Sequence, residues 1–280
     1  MRLAILIRGF HFLPADRFGF PLDGRRYIDS LLANVIEPLR AEHDIEVNVA
    51  TYDSPILPDV LNRLQPTRHV LCEKTSSDQI STFLQGIALA RTGGAAFDRL
   101  ISTRFDLTYL MPATRWNVWG DRKGLFFPWR EYEHLWESER RVGDTIHVCD
   151  AYLLETFVEG LTRQRAEGRK DLHTLYRVVS RSTDDLGFIV EGFHDSNTLF
   201  CNAECYNPLY RLGNRPRLPA VDMVKPIAPT APLYRRRIYR ARTIAVRWWS
   251  NALVKISARV SRLIFRLSTG RRRESTPTPR

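Results

Sequence analysis

No stretch of 18 apolar residues in this chain runs without a charge, which excludes a transmembrane helix. Cysteine is scarce. Cys72, Cys149, Cys201 and Cys205 are scattered, and only the last two stand close, at a C-x3-C spacing with no second Cys or His pair nearby. That disfavours a zinc or disulfide framework and leaves buried or free thiols in a reducing compartment as the expectation. Arg8 and His11 interrupt the apolar start and no small-residue cleavage site follows, so a secretory signal is not expected and cytoplasmic residence is. A G-x-x-x-x-G-K-[ST] loop is absent, and no G-x-G-x-x-G follows the first apolar run, which argues against P-loop and dinucleotide enzymes. There is no internal repeat.

What the chain has in excess is positive charge, unevenly placed. The formal charge is +11. Residues 223–280 hold 15 of the 42 Lys and Arg and one acidic residue, Glu274, giving +14; the 222 residues before them hold 27 basic and 30 acidic, giving −3. The part with a globular composition is therefore slightly acidic, and a nucleic-acid reading of the basic balance can apply only to the tail. With 44% hydrophobic and 26% charged residues overall, a single α/β domain with a sizeable core is expected before that tail.

Leu3–Ile7 is a continuous apolar run ending at Arg8 and Gly9, the pattern of a strand buried on both faces, so a parallel sheet is expected. From Tyr27 to Arg40, Ile28, Leu31, Leu32, Val35, Ile36 and Leu39 fall at helical spacing, with Pro38 near the end. Ile45–Ala50 alternates as a strand, and the turn residues Thr51 to Pro55 close it. Arg68–Cys72 reads as a third short strand. Ser76, Ser77 and Asp78 offer N-caps for a helix carrying Ile80, Phe83, Leu84, Ile87, Ala88 and Ala90, which Gly93 and Gly94 stop. Phe97–Thr103 reads as the next buried strand, and it delivers Arg104-Phe105-Asp106-Leu107 to the end where open α/β sheets bind ligands. Beyond it a strand is expected at Gly124–Pro128, a charged aromatic loop to Arg141, a helix near Asp150–Arg165, a strand at Phe188–Glu191 and a loop-rich segment through Tyr210.

A carboxylate two residues beyond an Arg at a strand end suits a divalent cation, with the Arg facing phosphate, because hard cations share oxygen ligands with substrate phosphates. A structural ion pair is the alternative. The segments Ser77-Asp-Gln-Ile-Ser-Thr-Phe-Leu-Gln-Gly86 and Phe97-Asp-Arg-Leu-Ile-Ser-Thr-Arg-Phe-Asp-Leu107 together resemble bacterial and viral glycosyltransferases of the nucleotide-diphospho-sugar transferase (GT-A) superfamily. In those proteins a strand ends in Arg-x-Asp-Leu in place of Asp-x-Asp. The resemblance spans roughly residues 1–210 and implies a Rossmann-like GT-A domain with a mostly parallel central sheet and a nucleotide-sugar donor. It implies that Asp106 binds the metal (Mn2+ or Mg2+) or the ribose, and that Arg104 holds the sugar nucleotide. Arg8 and Gly9, with Thr51 and Tyr52, would then line the nucleotide pocket. One carboxylate stands here where Asp-x-Asp enzymes have two.

Inverting transfer needs a carboxylate to take the acceptor proton. Asp195 is the first candidate and Asp144 the second, each weighed against a turn-forming Asp. His147 and His194 read as ordinary polar or core residues. The run Pro128-Trp-Arg-Glu-Tyr-Glu-His-Leu-Trp136 suits a sugar platform or, equally, a loop whose rings pack inward.

Pro216, Pro219, Pro226, Pro229 and Pro232 mark a linker, so the expected division is a catalytic domain over 1–214, a linker over 215–232, a basic amphipathic helix over 233–270 and a terminal 271–280. In that helix Val246, Trp249, Leu253, Ile256, Val260, Leu263 and Leu267 alternate three and four apart, with Lys255, Arg259, Arg262 and Arg266 on another side. An anionic membrane surface is the expected partner, against docking on its own domain or binding nucleic acid. The expected activity is transfer from a nucleotide-sugar to a cell-surface polysaccharide or lipid-linked glycan at the cytoplasmic membrane face. Another nucleotide-dependent transferase, or a non-catalytic adaptor for membrane or nucleic acid, is the alternative.

Overall fold

The most apolar segment of the sequence, β1 (Arg2–Arg8), is the third strand from one edge of a seven-stranded sheet in this computed structural model, which describes residues 1–16, 20–74, 78–93, 96–131, 133, 136–194, 207–213, 252 and 255–264. The other strands are β2 (Asp44–Thr51), β3 (Arg68–Leu71), β4 (Arg99–Arg104), β5 (Leu125–Phe127), β6 (His147–Asp150) and β7 (Leu186–Phe188). Their spatial order is β3-β2-β1-β4-β6-β5-β7. Parallel pairing joins β1 to β2 and β4, β2 to β3, and β5 to β7, while β6 runs antiparallel to both β4 and β5. The expected mostly parallel α/β sheet is therefore present, with one reversed strand inside it.

Alternation explains why β1 is apolar throughout. Ala4 and Leu6 join the core cluster on one face, and Leu3, Ile5 and Ile7, each fully buried, occupy the other. The first helix, α1, is continuous from Ile28 to Glu42 but contains a π turn at Leu32–Ile36. Pro38 sits just after that turn and has no N–H to give an α-type bond, and the wider turn accommodates it, so the helix runs past Pro38. The helix α2 (Leu57–Leu64), not foreseen from the sequence, buries Leu57, Val60 and Leu64 on one side. Asp78 caps α3 (Gln79–Arg91), its carboxylate accepting from the Ser81 N–H at 2.7 Å. α3 lies close on the sheet because Gly86 has no side chain: a Cβ there would stand 2.5 Å from Leu6 and 3.1 Å from Ala50. The helices α4 (Leu154–Ala166) and α5 (Leu175–Val179) complete that layer, with Phe157, Leu161, Leu175 and Val179 in the same cluster as Phe83.

The chain divides into two compact units. The sheet unit takes residues 1–11, 24–196 and 207–213; the other takes 12–23, 197–206 and 214–280. In the second unit, Phe12–Leu13 pairs antiparallel with Leu22–Asp23, and residues 255–264 are helical. Most of the tail expected to be helical, including Val246, Trp248, Trp249 and Leu267, lies outside the described residues, as do the linker prolines. Among the described residues no helix is long and apolar enough to cross a membrane.

Candidate active site at the sheet switch point

Strand order reverses between β1 and β4, since the chain leaves β1 for β2 on one side and returns to β4 on the other. Crevices at such a point, beyond the carboxyl ends of the strands, are where doubly wound sheets take ligands. The two strands end in register on two cations, Arg8 opposite Arg104. Cations this close repel, and the surrounding residues show how the repulsion is met.

Arg8 is almost wholly buried. Its Nε donates to Ser102 Oγ at 3.0 Å and its Nη2 to the Asp144 carbonyl at 2.9 Å, with the guanidinium 4.2 Å above the Phe83 ring. Burial, and then the neighbouring Arg104, bring it down to about 9. Arg104 is about a quarter exposed and forms a two-pronged pair with Asp106, Nε to Oδ1 at 2.9 Å and Nη2 to Oδ2 at 2.5 Å. Its Nη1 also stands 3.7 Å from Asp144 Oδ1. Burial would lower Arg104, but Asp106 and Asp144 outweigh it and hold it above the usual arginine range.

Asp144 is the hub. The Gln79 amide, from the first turn of α3, donates to its Oδ2 at 3.0 Å, and His173 Nε2 lies 3.6 Å from the same oxygen. Burial pushes this carboxyl up, yet His173 and Arg104, the Gln79 bond and Arg8 together hold it well below the usual carboxylate range. His173 lies between two acids, with Nδ1 3.1 Å from Glu131 Oε2 and 3.1 Å from the Val142 carbonyl. Burial would lower its pKa, but Asp144 and Glu131 raise it to about 9, so it is an imidazolium at neutral pH. Arg141 Nε stands 3.5 Å from Glu131 on the far side.

The residues expected to line the nucleotide pocket divide into two groups. Thr51 and Tyr52 are buried and face inward: Thr51 Oγ1 donates to the Gly9 carbonyl at 2.8 Å and meets His11 Nδ1 at 2.6 Å, while the Tyr52 hydroxyl bonds Thr82 and its ring stacks on Phe10. Both side chains are held inside the fold. Gly9 turns the chain at φ +98, which favours glycine, and nothing lies within 4 Å of where a Cβ would stand. The open positions are thus Gly9 and the Arg104–Asp106 pair.

Asp106, expected as the metal ligand, lies in the same cluster. Both of its oxygens already meet a guanidinium, and Asp144 faces an amide, an arginine and an imidazolium. A hard dication takes one or two carboxylates together with waters and substrate phosphates, and here Arg8, Arg104, Arg141 and His173 outnumber Asp106, Asp144 and Glu131. Among the described residues no group of three His, Cys, Asp or Glu could hold a metal ion. The donor set fits an anion better than a cation.

Asp195 lies outside the described residues. In the aromatic run, Trp129 is fully buried, and Trp136 packs on Tyr176, Phe188 and Phe193, so these two rings pack inward. His147 is buried among Phe83, Phe127 and Phe157, and His194 Nε2 bonds the Glu191 carbonyl. Sequence reading missed Gln79, Glu131 and His173. The cap at Asp78 could have pointed to Gln79, which it places in the first turn of a helix that begins beside Asp144.

No known family profile and no curated protein matches this chain. Among solved structures it is similar to a nucleotidyl transferase from Methanothermobacter thermautotroptrophicus, with a TM-score of 0.45 and 17% identity over 68% of this chain and 86% of that one. It is also similar to a glycosyltransferase involved in glycosylation of the major capsid of PBCV-1, with a TM-score of 0.41 and 11% identity over 74% and 87% of the two chains. At these TM-scores neither likeness decides fold or activity, which rest on this chain's own strands and side chains.

Proposed function

We propose that this protein is a nucleotide-sugar-dependent glycosyltransferase, with the diphosphate of its donor held at the switch point. The observation that carries the reading is the in-register pair Arg8 and Arg104 at the ends of the two central parallel strands, in a cluster with more cations than carboxylates. Charge builds on the leaving diphosphate during transfer, and positioned cations stabilise it. Arg104, being partly exposed, contacts the anion, while buried Arg8 supplies field from beneath. Asp106 gives up part of its hold on Arg104, or meets the donor ribose, when the anion arrives.

Asp144 takes a positioning role in this reading. A carboxylate held so far below its ordinary range is a weak proton acceptor, but it fixes Arg104, Gln79 and His173 around one point. The proton-accepting role stays with Asp195. The acceptor is a surface polysaccharide or a lipid-linked glycan at the cytoplasmic face of a membrane, a reading that draws on the basic tail.

Donor hydrolysis and nucleotide binding across UDP-, GDP-, CMP- and dTDP-sugars, with and without Mn2+, test the proposal. Turnover or binding with at least one donor, abolished in a folded Arg104→Ala variant, is expected. Binding of none of them removes the reading. Product mass separates it from nucleotidyl transfer, the second reading that the same anion site would serve.

A further inference from the structure

The helix over 255–264 carries its large aliphatic residues on one exposed face. At about 100° per residue, Ile256, Val260, Leu263 and Ile264 fall on one stripe about 100° wide. Large aliphatic side chains on such a stripe normally face inward. Here they are 59%, 51%, 60% and 57% exposed. The covered side carries small residues instead, with Ala258 1% exposed and Ser257 and Ser261 half-buried. Exposed Lys255 and Arg259, with half-buried Arg262, flank the aliphatic stripe along one edge.

We infer that this exposed face is a docking surface for an anionic lipid bilayer, lying in the plane of the interface. Two properties must be met together by any occupant: it must remove four adjacent aliphatic side chains from water, and it must present negative charge beside them. The bilayer interface does both, since acyl chains take the stripe while anionic headgroups take the cations. The charge is not local to the helix, because residues 223–280 hold 15 basic residues against Glu274 alone. A nucleic acid would use the cations and leave the aliphatic stripe in water. A second copy of this surface would set cation against cation. The inference is independent of whether the sheet unit transfers a sugar.

Flotation of the full chain with vesicles tests it and requires no donor or acceptor. The probes are phosphatidylcholine vesicles and phosphatidylcholine vesicles with about one-third phosphatidylserine. The chain should float with the second and much less with the first, and added salt should weaken the association. Ile256→Ser and Leu263→Ser should each weaken binding about ten-fold, from the loss of one buried aliphatic side chain. Lys255→Gln and Arg259→Gln should each weaken it about five-fold, on the anionic vesicles only. These side chains are exposed, so an unchanged melting temperature is expected and separates lost docking from lost folding. Equal flotation with both vesicle types, no flotation with either, or flotation unaffected by the two serine variants would overturn the proposal. So would vesicle indifference accompanied by salt-sensitive DNA binding, or by a dimer in sedimentation that Leu263→Ser dissolves. Because flotation and donor turnover are separate readouts, failure of one leaves the other standing.

Discussion

The two ends of β4 carry the same chemistry in two conditions. At its start, Arg99 pairs with Asp150 through Nε at 2.7 Å and Nη2 at 3.1 Å, and its other donors reach the Val118 and Arg122 carbonyls. Asp150 Oδ2 also accepts the Gly124 N–H at 2.6 Å. Every group there has a partner inside the protein, and the Arg99 side chain is 3% exposed. At its finish, Arg104 pairs with Asp106 with similar geometry, but it is 26% exposed, leaves Nη1 3.7 Å from Asp144, and shares its surroundings with Arg8. A closed pair holds strands and loops together. An open, over-cationic one has capacity left for a ligand, and the difference lies in completeness of bonding rather than in residue type.

The largest effect that could break this comparison is on stability. Removing one member of a closed buried pair strands the other charge, which costs about 3–5 kcal/mol. Asp150→Ala should therefore lower the unfolding free energy by about that much in chemical denaturation. Asp106→Ala should cost less than half of it, because Asp144 still faces Arg104 and solvent reaches the guanidinium. Equal losses of stability in the two variants would mean that both ends of β4 are structural. Next in size is Arg104→Lys. A lysine keeps the charge but cannot make the two-pronged contact, so titration should show donor binding weakened about ten-fold, roughly 1.4 kcal/mol, with the melting temperature little changed. Full affinity in the lysine variant would show that only the charge matters at this end.

How far this could be seen in the sequence differs in the same way between regions. β1, β2 and the capped α3 were legible because burial on two faces, alternation and an N-cap are local patterns that Leu3–Ile7, Ile45–Ala50 and Asp78 carry in a few residues. Arg104 and Asp106 were legible as a pair at a strand end. β6 was not: His147-Val-Cys-Asp150 has polar residues at both ends, and its place between β4 and β5 is decided by pairing with strands over 20 residues away in sequence. That strand follows directly on Asp144 and sets it against Arg8. Glu131 and His173 come from separate loops with no periodicity, so the charge cluster exists only once the sheet has closed. The inward turn of Thr51, Tyr52 and Trp129 was equally out of reach, since a residue near a strand end reads the same whether it faces a ligand or the core.

The last expected effect distinguishes the two ends by pH. His173 rises from its ordinary 6.5 to about 9 on folding, and this raised value means that the folded protein favours the proton. Its contribution to stability is then complete below about pH 6.5 and disappears as pH climbs toward 9. Asp144 has the opposite sign: its depressed value gives a contribution that is present above its ordinary 3.8 and lost as pH falls below it. The open end of β4 should thus be firmest between those limits, and the wild type should lose melting temperature progressively from pH 6.5 to 9. In His173→Gln that alkaline loss should flatten, because the group whose proton is given up is gone. The acid limb should soften as well, since His173 is the largest influence holding Asp144 ionised. Asp150→Ala, made at the closed end, should leave the alkaline slope as steep as in the wild type while lowering the whole curve. If the slope instead followed Asp150 and ignored His173, the Glu131–His173–Asp144 arrangement would not be what couples this site to protons.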